Sequence, residues 1–195
     1  HSATAVDLEI AVQRYVDTHA QYPVDMGSLP QDVQEYLLPE DGWIQSHDPE
    51  IVAKAGELAS GLAFQAEVAE AILSWVRAKI SFDFTFGLPY DALSTFHNRS
   101  ALCGGFANLA VALMRAAGIP ARVHLGCLAS EGWAVPIQGG WHAWVETYFP
   151  DVGWVASDPQ TTANFIDTSH ISVGFHQCGR AGTTIRRTSH LVTLS

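Results

Sequence analysis

Three side chains in the sequence have the types that nucleophilic acyl chemistry requires: Cys103, His142 and Asp158. A thiolate attacks an amide carbonyl, an imidazole exchanges the proton, and a carboxylate fixes the imidazole tautomer. Cys103 stands at the start of a run, Leu102 to Gly118, that reads as a buried helix of about four turns dominated by Ala and Leu. Unpaired N–H groups and the positive end of the helix dipole favour thiolate over thiol there, which lowers the pKa from its unperturbed value of about 8.5. Gly104 and Gly105 follow without a Cβ, so backbone or substrate can approach closely. Each residue also has an ordinary reading. Cys103 would serve as a small buried hydrophobe, His142 as one structural histidine among nine, and Asp158 as a turn residue before Pro159.

The elements must bring the three together. Trp141 to Phe149 and Trp154 to Ser157 alternate apolar and polar residues, and Pro150-Asp151-Val152-Gly153 between them makes an antiparallel hairpin. His142 opens one strand and Asp158 closes the other. A turn centred midway between Pro150 and Gly153 sets Asp158 opposite Val145, three residues from His142. That is about 10 Å along a strand, so contact requires a bulge, twist or one-residue change in the turn. The alternation puts His142, Trp144 and Glu146 on one face, and Trp141 and Trp144 flank the imidazole as core or as a wall against water.

Elsewhere, Val6, Ile10, Val12 and Val16 suit a first helix, and Pro23, Gly27 and Pro30 break the chain before a short acidic segment, Gln31 to Leu38. Residues 49–59 read as a helix with Asp48 as N-cap and Pro49 at its first position. Val68, Ile72, Trp75, Val76, Lys79 and Ile80 form the stripe of the next helix, and Ser81 to Leu93 reads as loop with some extended backbone. Gly118 caps the Cys103 helix and Pro120 stops it. Arg122 to Leu128, Ile171 to Gln177 and Thr183 to Leu194 are further candidate strands. Helices followed by antiparallel strands define an α+β fold. The 195 residues suit a single domain, with a helical extension over 1–48 ahead of a core over 49–195.

Composition narrows the partners. Ten Lys+Arg against twenty Asp+Glu give a net charge of −10, which argues against nucleic acid as a ligand. Eleven carboxylates fall within residues 1–57, as a solvated face or a means of steering a cationic substrate. No apolar run reaches the roughly 18–20 residues of a membrane-spanning helix; Phe106 to Ile119 carries Asn108 and Arg115. His170, His176 and Cys178 are close in sequence, but no four-ligand set at structural-zinc spacing accompanies them, and no metal is expected. Three cysteines leave at least one thiol unpaired within the chain. Cys127 and Cys178 end candidate strands; paired, they would leave Cys103 as the free thiol and indicate an oxidising compartment, and otherwise they are two buried thiols.

These residues resemble the transglutaminase-like superfamily of papain-like thiol enzymes. The resemblance rests on Cys103 with the helix ending Arg115-Ala116-Ala117-Gly118-Ile119-Pro120-Ala121-Arg122, on His142-Ala143-Trp144-Val145-Glu146, and on Gly153-Trp154 with Asp158-Pro159. Weaker similarity reaches back to about Ile51 through the helix ending Trp75-Val76. The resemblance implies a Cys103, His142, Asp158 triad on a papain-like α+β core, with the cysteine helix packed on an antiparallel sheet. It implies a peptide or protein amide substrate and no bound cofactor. The backbone N–H of Cys103 is one natural oxyanion donor, and the resemblance leads us to expect a side-chain donor upstream, with Tyr90, His97 and Asn98 as candidates. Ala101, where the family often has Gly, and Gly104-Gly105, where it has bulkier or polar residues, are departures that bear on the cleft. The expected activity is thiol-dependent acyl transfer on amides, with hydrolysis by a cysteine peptidase or amidase as the first reading. Protein-glutamine gamma-glutamyl transfer and a catalytically silent module that binds peptide or cell wall are the alternatives.

Overall fold

The structure, a computed structural model, describes residues 29–85, 87–128, 141–150, 152–161, 166 and 170–175. Within these residues helices precede the sheet. The helices are α1 (Gln31–Gln34), continued by a 3-10 turn (Glu35–Leu37), α2 (Pro49–Ala59), α3 (Gln65–Lys79), α4 (Ala92–Asn98) and α5 (Cys103–Ala116). Two short parallel strands, β1 (Ser81–Phe82) and β2 (Ser100–Ala101), lead into α5. The main sheet consists of β3 (Ala121–Leu128), β4 (Trp141–Phe149), β5 (Gly153–Ser157) and β6 (His170–Phe175) in the order β5-β4-β3-β6, antiparallel throughout. The expected helix over Val6 to Val16, the expected strand Thr183 to Leu194, the His176-Gln177 end of the strand expected from Ile171, and Cys178 lie outside the described residues.

Helix α5 is the centre of the core. Every residue from Gly105 to Arg115 is buried; α2, α3 and α4 pack against the helix on one side, and β3 and β4 on the other. Its apolar composition leaves it no solvent face, which suits a helix enclosed by two layers. The end expected at Gly118 is present: Ile119 N–H donates to Met114 O at 2.9 Å and Gly118 N–H to Arg115 O at 3.0 Å, the paired bonds of a Schellman cap. Arg115 ties this end to the N-terminal segment, donating to Leu38 O at 2.6 Å and Ala121 O at 2.9 Å and pairing with Glu40 at 2.8 Å.

Asp48 caps α2 as expected, accepting from Glu50 N–H at 2.9 Å. Three expectations are corrected. On α3 the buried stripe is Val68, Ala69, Ile72, Leu73 and Val76, with Ile80 at the end; Lys79 is exposed, because its ammonium stays in water while Leu73 takes the inner face. The loop expected through Leu93 gives way at Ala92 to α4, whose start is set by Asp91 accepting from Ser94 N–H at 3.0 Å. Finally, the hairpin turn is one residue tighter than expected. Phe149 pairs with Gly153, Val152 N–H donates to Phe149 O at 3.1 Å, and Gly153 adopts a φ of 84°, a conformation that favours glycine.

Candidate active site

The tighter turn decides the register of the site. Val145 pairs with Ser157, which sets Asp158 level with Trp144, two residues from His142 and on the same face of the sheet. His142 Nε2 donates to Asp158 Oδ2 at 2.6 Å, with the two side chains 6% and 0% exposed. An ionised carboxylate only accepts, so this bond assigns the Nε2 proton. The half-buried Cys103, at the first position of α5, lies close enough to His142 for the two side chains to interact. The structure therefore brings Cys103, His142 and Asp158 into one chain of contacts.

The electrostatics follow from these contacts. Burial opposes charge on all three groups, and the hydrogen bonds outweigh it. For His142, the bonds to Asp158 and Cys103 lift the imidazole from 6.5 to about 9. For Cys103, the contact with His142 and the backbone N–H groups of Ala143 and Gly104 hold the thiol below its ordinary value. For Asp158, donors from His142, His170 and Thr161 hold the carboxyl far below the usual range. These contacts favour the thiolate of Cys103 and the imidazolium of His142.

Several neighbours were not legible as site residues. Asp158 Oδ2 also accepts from Thr161 Oγ1 at 2.5 Å and from His170 Nε2 at 3.1 Å, and Oδ1 accepts from Gln160 N–H at 2.8 Å. The Asp-Pro-Gln-Thr run carries the signal for the local bonds, an Asx-type turn closed by a hydroxyl. His170 arrives from β6, at a sequence separation of 12 from Asp158, and no spacing rule points to it. Trp144 is 1% exposed and packs at 6.1 Å from the His142 ring, 5.2 Å from His170 and 4.8 Å from His124, so it is both core and wall; Trp141 is 60% exposed and is neither. The ligand atoms of His142, Asp158 and His170 lie within 4.8 Å of one another. Their closest spacings, 2.6 and 3.1 Å, are those of hydrogen bonds, whereas tetrahedral zinc at about 2.0–2.2 Å from N and O ligands holds those ligands about 3.3–3.6 Å apart.

Among the three candidate oxyanion donors, Tyr90 packs beside Gly104, the residue after Cys103. Its ring is 3.5 Å from where a Cβ on Gly104 would sit, and its carbonyl accepts from Asn108 Nδ2 at 2.8 Å. His97 instead faces Glu50 at 3.0 Å on the surface, and Asn98 is exposed at the end of α4. The two glycines after Cys103 also separate. A Cβ on Gly105 would meet Ala101 Cβ at 2.4 Å and Thr95 Oγ1 at 2.6 Å, so Gly105 serves the contact of α4 and β2 with α5. Cys127 is a half-buried residue of β3, and its suggested partner Cys178 is outside the described residues.

The family model for the transglutaminase-like superfamily matches residues 53–159, more than half of the chain, and the chain belongs to that superfamily. It is 39% identical over 69 residues to a protein-glutamine gamma-glutamyltransferase of Pseudomonas aeruginosa, a match covering 33% of this chain and 10% of that protein. An uncharacterized protein of Mycobacterium leprae is 32% identical over 108 residues, covering 53% and 38%. Among solved structures, a candidate cysteine protease from Cytophaga hutchinsonii superposes with a TM-score of 0.66 at 21% identity, covering 83% of this chain and 52% of that one. The periplasmic domain of TgpA from Pseudomonas aeruginosa gives 0.52 at 27% identity, covering 69% and 49%. The chain thus spans about half of each solved neighbour and far less of the first curated relative, and the fold is the papain-like, transglutaminase-like α+β core.

Proposed function

We propose that this protein is a cysteine acyltransferase acting on amide or peptide substrates, with Cys103 as nucleophile, His142 as general acid and base, and Asp158 as the group that orients and charges the imidazole. The observation that carries this reading is the buried His142 bonded to Asp158 Oδ2 at 2.6 Å while its imidazole interacts with the Cys103 thiol. In the proposed cycle the thiolate sulfur bonds to the amide carbon and the carbonyl oxygen takes the negative charge, with the Cys103 N–H at the start of α5 as its donor. The imidazolium gives its proton to the amide nitrogen, the C–N bond breaks, and ammonia or an amine leaves. Neutral His142 then takes a proton from water, whose oxygen attacks the thioester; the C–S bond breaks, releasing the carboxylic acid and restoring the ion pair.

Hydrolysis is the first reading, because the partly exposed Cys103 leaves a thioester within reach of water. Transfer to a second amine is the other, favoured by the likeness to the glutamyltransferase of Pseudomonas aeruginosa. Glutamine-containing peptides assayed with and without a primary amine separate the two. Ammonia release and a deamidated or cleaved peptide indicate hydrolysis; an amine adduct at the expense of that product indicates transamidation. Both products should vanish in Cys103→Ala. A protein whose peptide binding survives in Cys103→Ala, and whose wild type releases no product, is a silent binding module, and the proposal fails.

A further inference from the structure

The carboxylate proposed as the triad's third member has a second histidine. His170 Nε2 lies 3.1 Å from Asp158 Oδ2, the oxygen that also takes the His142 proton at 2.6 Å, and the His170 side chain is 1% exposed. The strand carrying it pairs with β3, with Leu128 opposite His170, so it reaches the site from the edge of the sheet remote from β5. Its ring sits edge-on to Trp144 at 5.2 Å and 5.7 Å from the His142 ring. Because an ionised carboxylate can only accept, Nε2 of His170 is a donor, as Nε2 of His142 is.

We propose that His170 is a positioning residue that shares Asp158 with His142, holding the carboxylate in place while drawing off part of its basicity so that the His142 proton stays transferable. The inference rests on the proposed roles of His142 and Asp158. Three donors on one oxygen divide its negative charge. With Thr161 fixed by the local turn, His170 is the donor that competes with His142 from another strand. An imidazolium gripped by an undivided carboxylate gives up its proton reluctantly, which slows departure of the amide nitrogen.

Other charged or titratable groups surround the pair. Cys103 faces His142 from α5, while His124 on β3 stacks on Trp144 and contacts Glu146 at 3.3 Å and Ser172 at 2.7 Å. Arg122 pairs with Glu146 at 2.7 Å, and Arg77 of α3 donates to the carbonyl of Thr161. None of these bonds to Asp158 Oδ2 among the contacts found in the described residues, and they are the same in every variant compared.

NMR titration of the His142 ring tests the proposal without requiring turnover, in wild type, His170→Phe, His170→Gln and His170→Asn, with the signal assigned by its loss in His142→Asn. Glutamine can place an amide N–H near the imidazole Nε2 position; asparagine is too short, and phenylalanine keeps the ring against Trp144 but has no donor. His170→Phe and His170→Asn should raise the His142 pKa by about one unit, whereas His170→Gln should stay near wild type. If the substrate assay succeeds, kcat should fall in the Phe and Asn variants with KM little changed. Identical His142 titration in Gln, Asn and Phe variants, or a fall in the donorless ones, overturns the proposal. The Gln and Asn comparison remains should Phe fail to fold. Absence of turnover in the wild type would sink the proposed function and leave this titration readable.

Discussion

Asp158 governs the charge state of the site. Burial pushes the His142 imidazole down, but the Asp158 carboxylate, together with the Cys103 thiol, favours the protonated ring and lifts it from 6.5 to about 9. Asp158→Asn removes the charge that raises the His142 pKa, so the alkaline limb of kcat/KM should move from near pH 9 towards about 6.5, the ordinary imidazole range. A pH–rate series on any amide substrate that the wild type turns over checks this, and an unmoved limb would mean that His142 is not the titrating acid. At this scale much was legible: cysteine at a helix start, histidine at a strand start and Asp-Pro at a strand end have chemical meaning in the bare sequence. His170 was not, because its relation to Asp158 is made by the pairing of β6 with β3 and not by local spacing.

Helix α5 and the β4–β5 hairpin deliver these side chains, and each was legible to a different depth. The helix was clear from its apolar run and its Gly118-Ile119-Pro120 end, since both signals are local. The hairpin was clear as an element, but its register depended on whether Gly153 belonged to the turn or to the strand; the pair Phe149 with Gly153 moved Asp158 onto the face of His142. Helix α4 was missed because seven residues containing Ser, Thr, His and Asn carry little periodicity, and it forms through the Asp91 cap and its contact with α5. That contact is tightest at Gly105. Gly105→Ala should destabilise the fold by about 1–3 kcal/mol through overpacking against Ala101 and Thr95, measured as a lower urea midpoint at unchanged slope. Gly104→Ala, with only the Tyr90 ring at 3.5 Å, should cost less.

Across the whole molecule, one buried cation joins regions distant in sequence. Arg115 bonds Leu38 O, Ala121 O and Glu40, so the N-terminal segment, the helix end and the first strand of the main sheet meet at a single side chain that is 1% exposed. Arg115→Met leaves Glu40 without that partner and two carbonyls without that donor, a loss of about 3–5 kcal/mol in the stability curve. The fold class was legible at this scale because the order of elements, helices and then antiparallel strands, limits the layers that can bury them. The net charge of −10 bears on partners and not on fold, and no helix among the described residues is long and apolar enough to cross a membrane.

The central claim, that Cys103 is an activated nucleophile, is met most directly by brief iodoacetamide treatment of the native protein near pH 6, followed by intact-mass and peptide mapping. An ordinary thiol with a pKa of about 8.5 is almost wholly protonated there and reacts slowly. Cys103, held below its ordinary pKa by His142, should take a single rapid alkylation, and His142→Ala should abolish it. Labelling of Cys103 no faster than that of Cys127, or labelling unaffected by His142→Ala, would contradict the account.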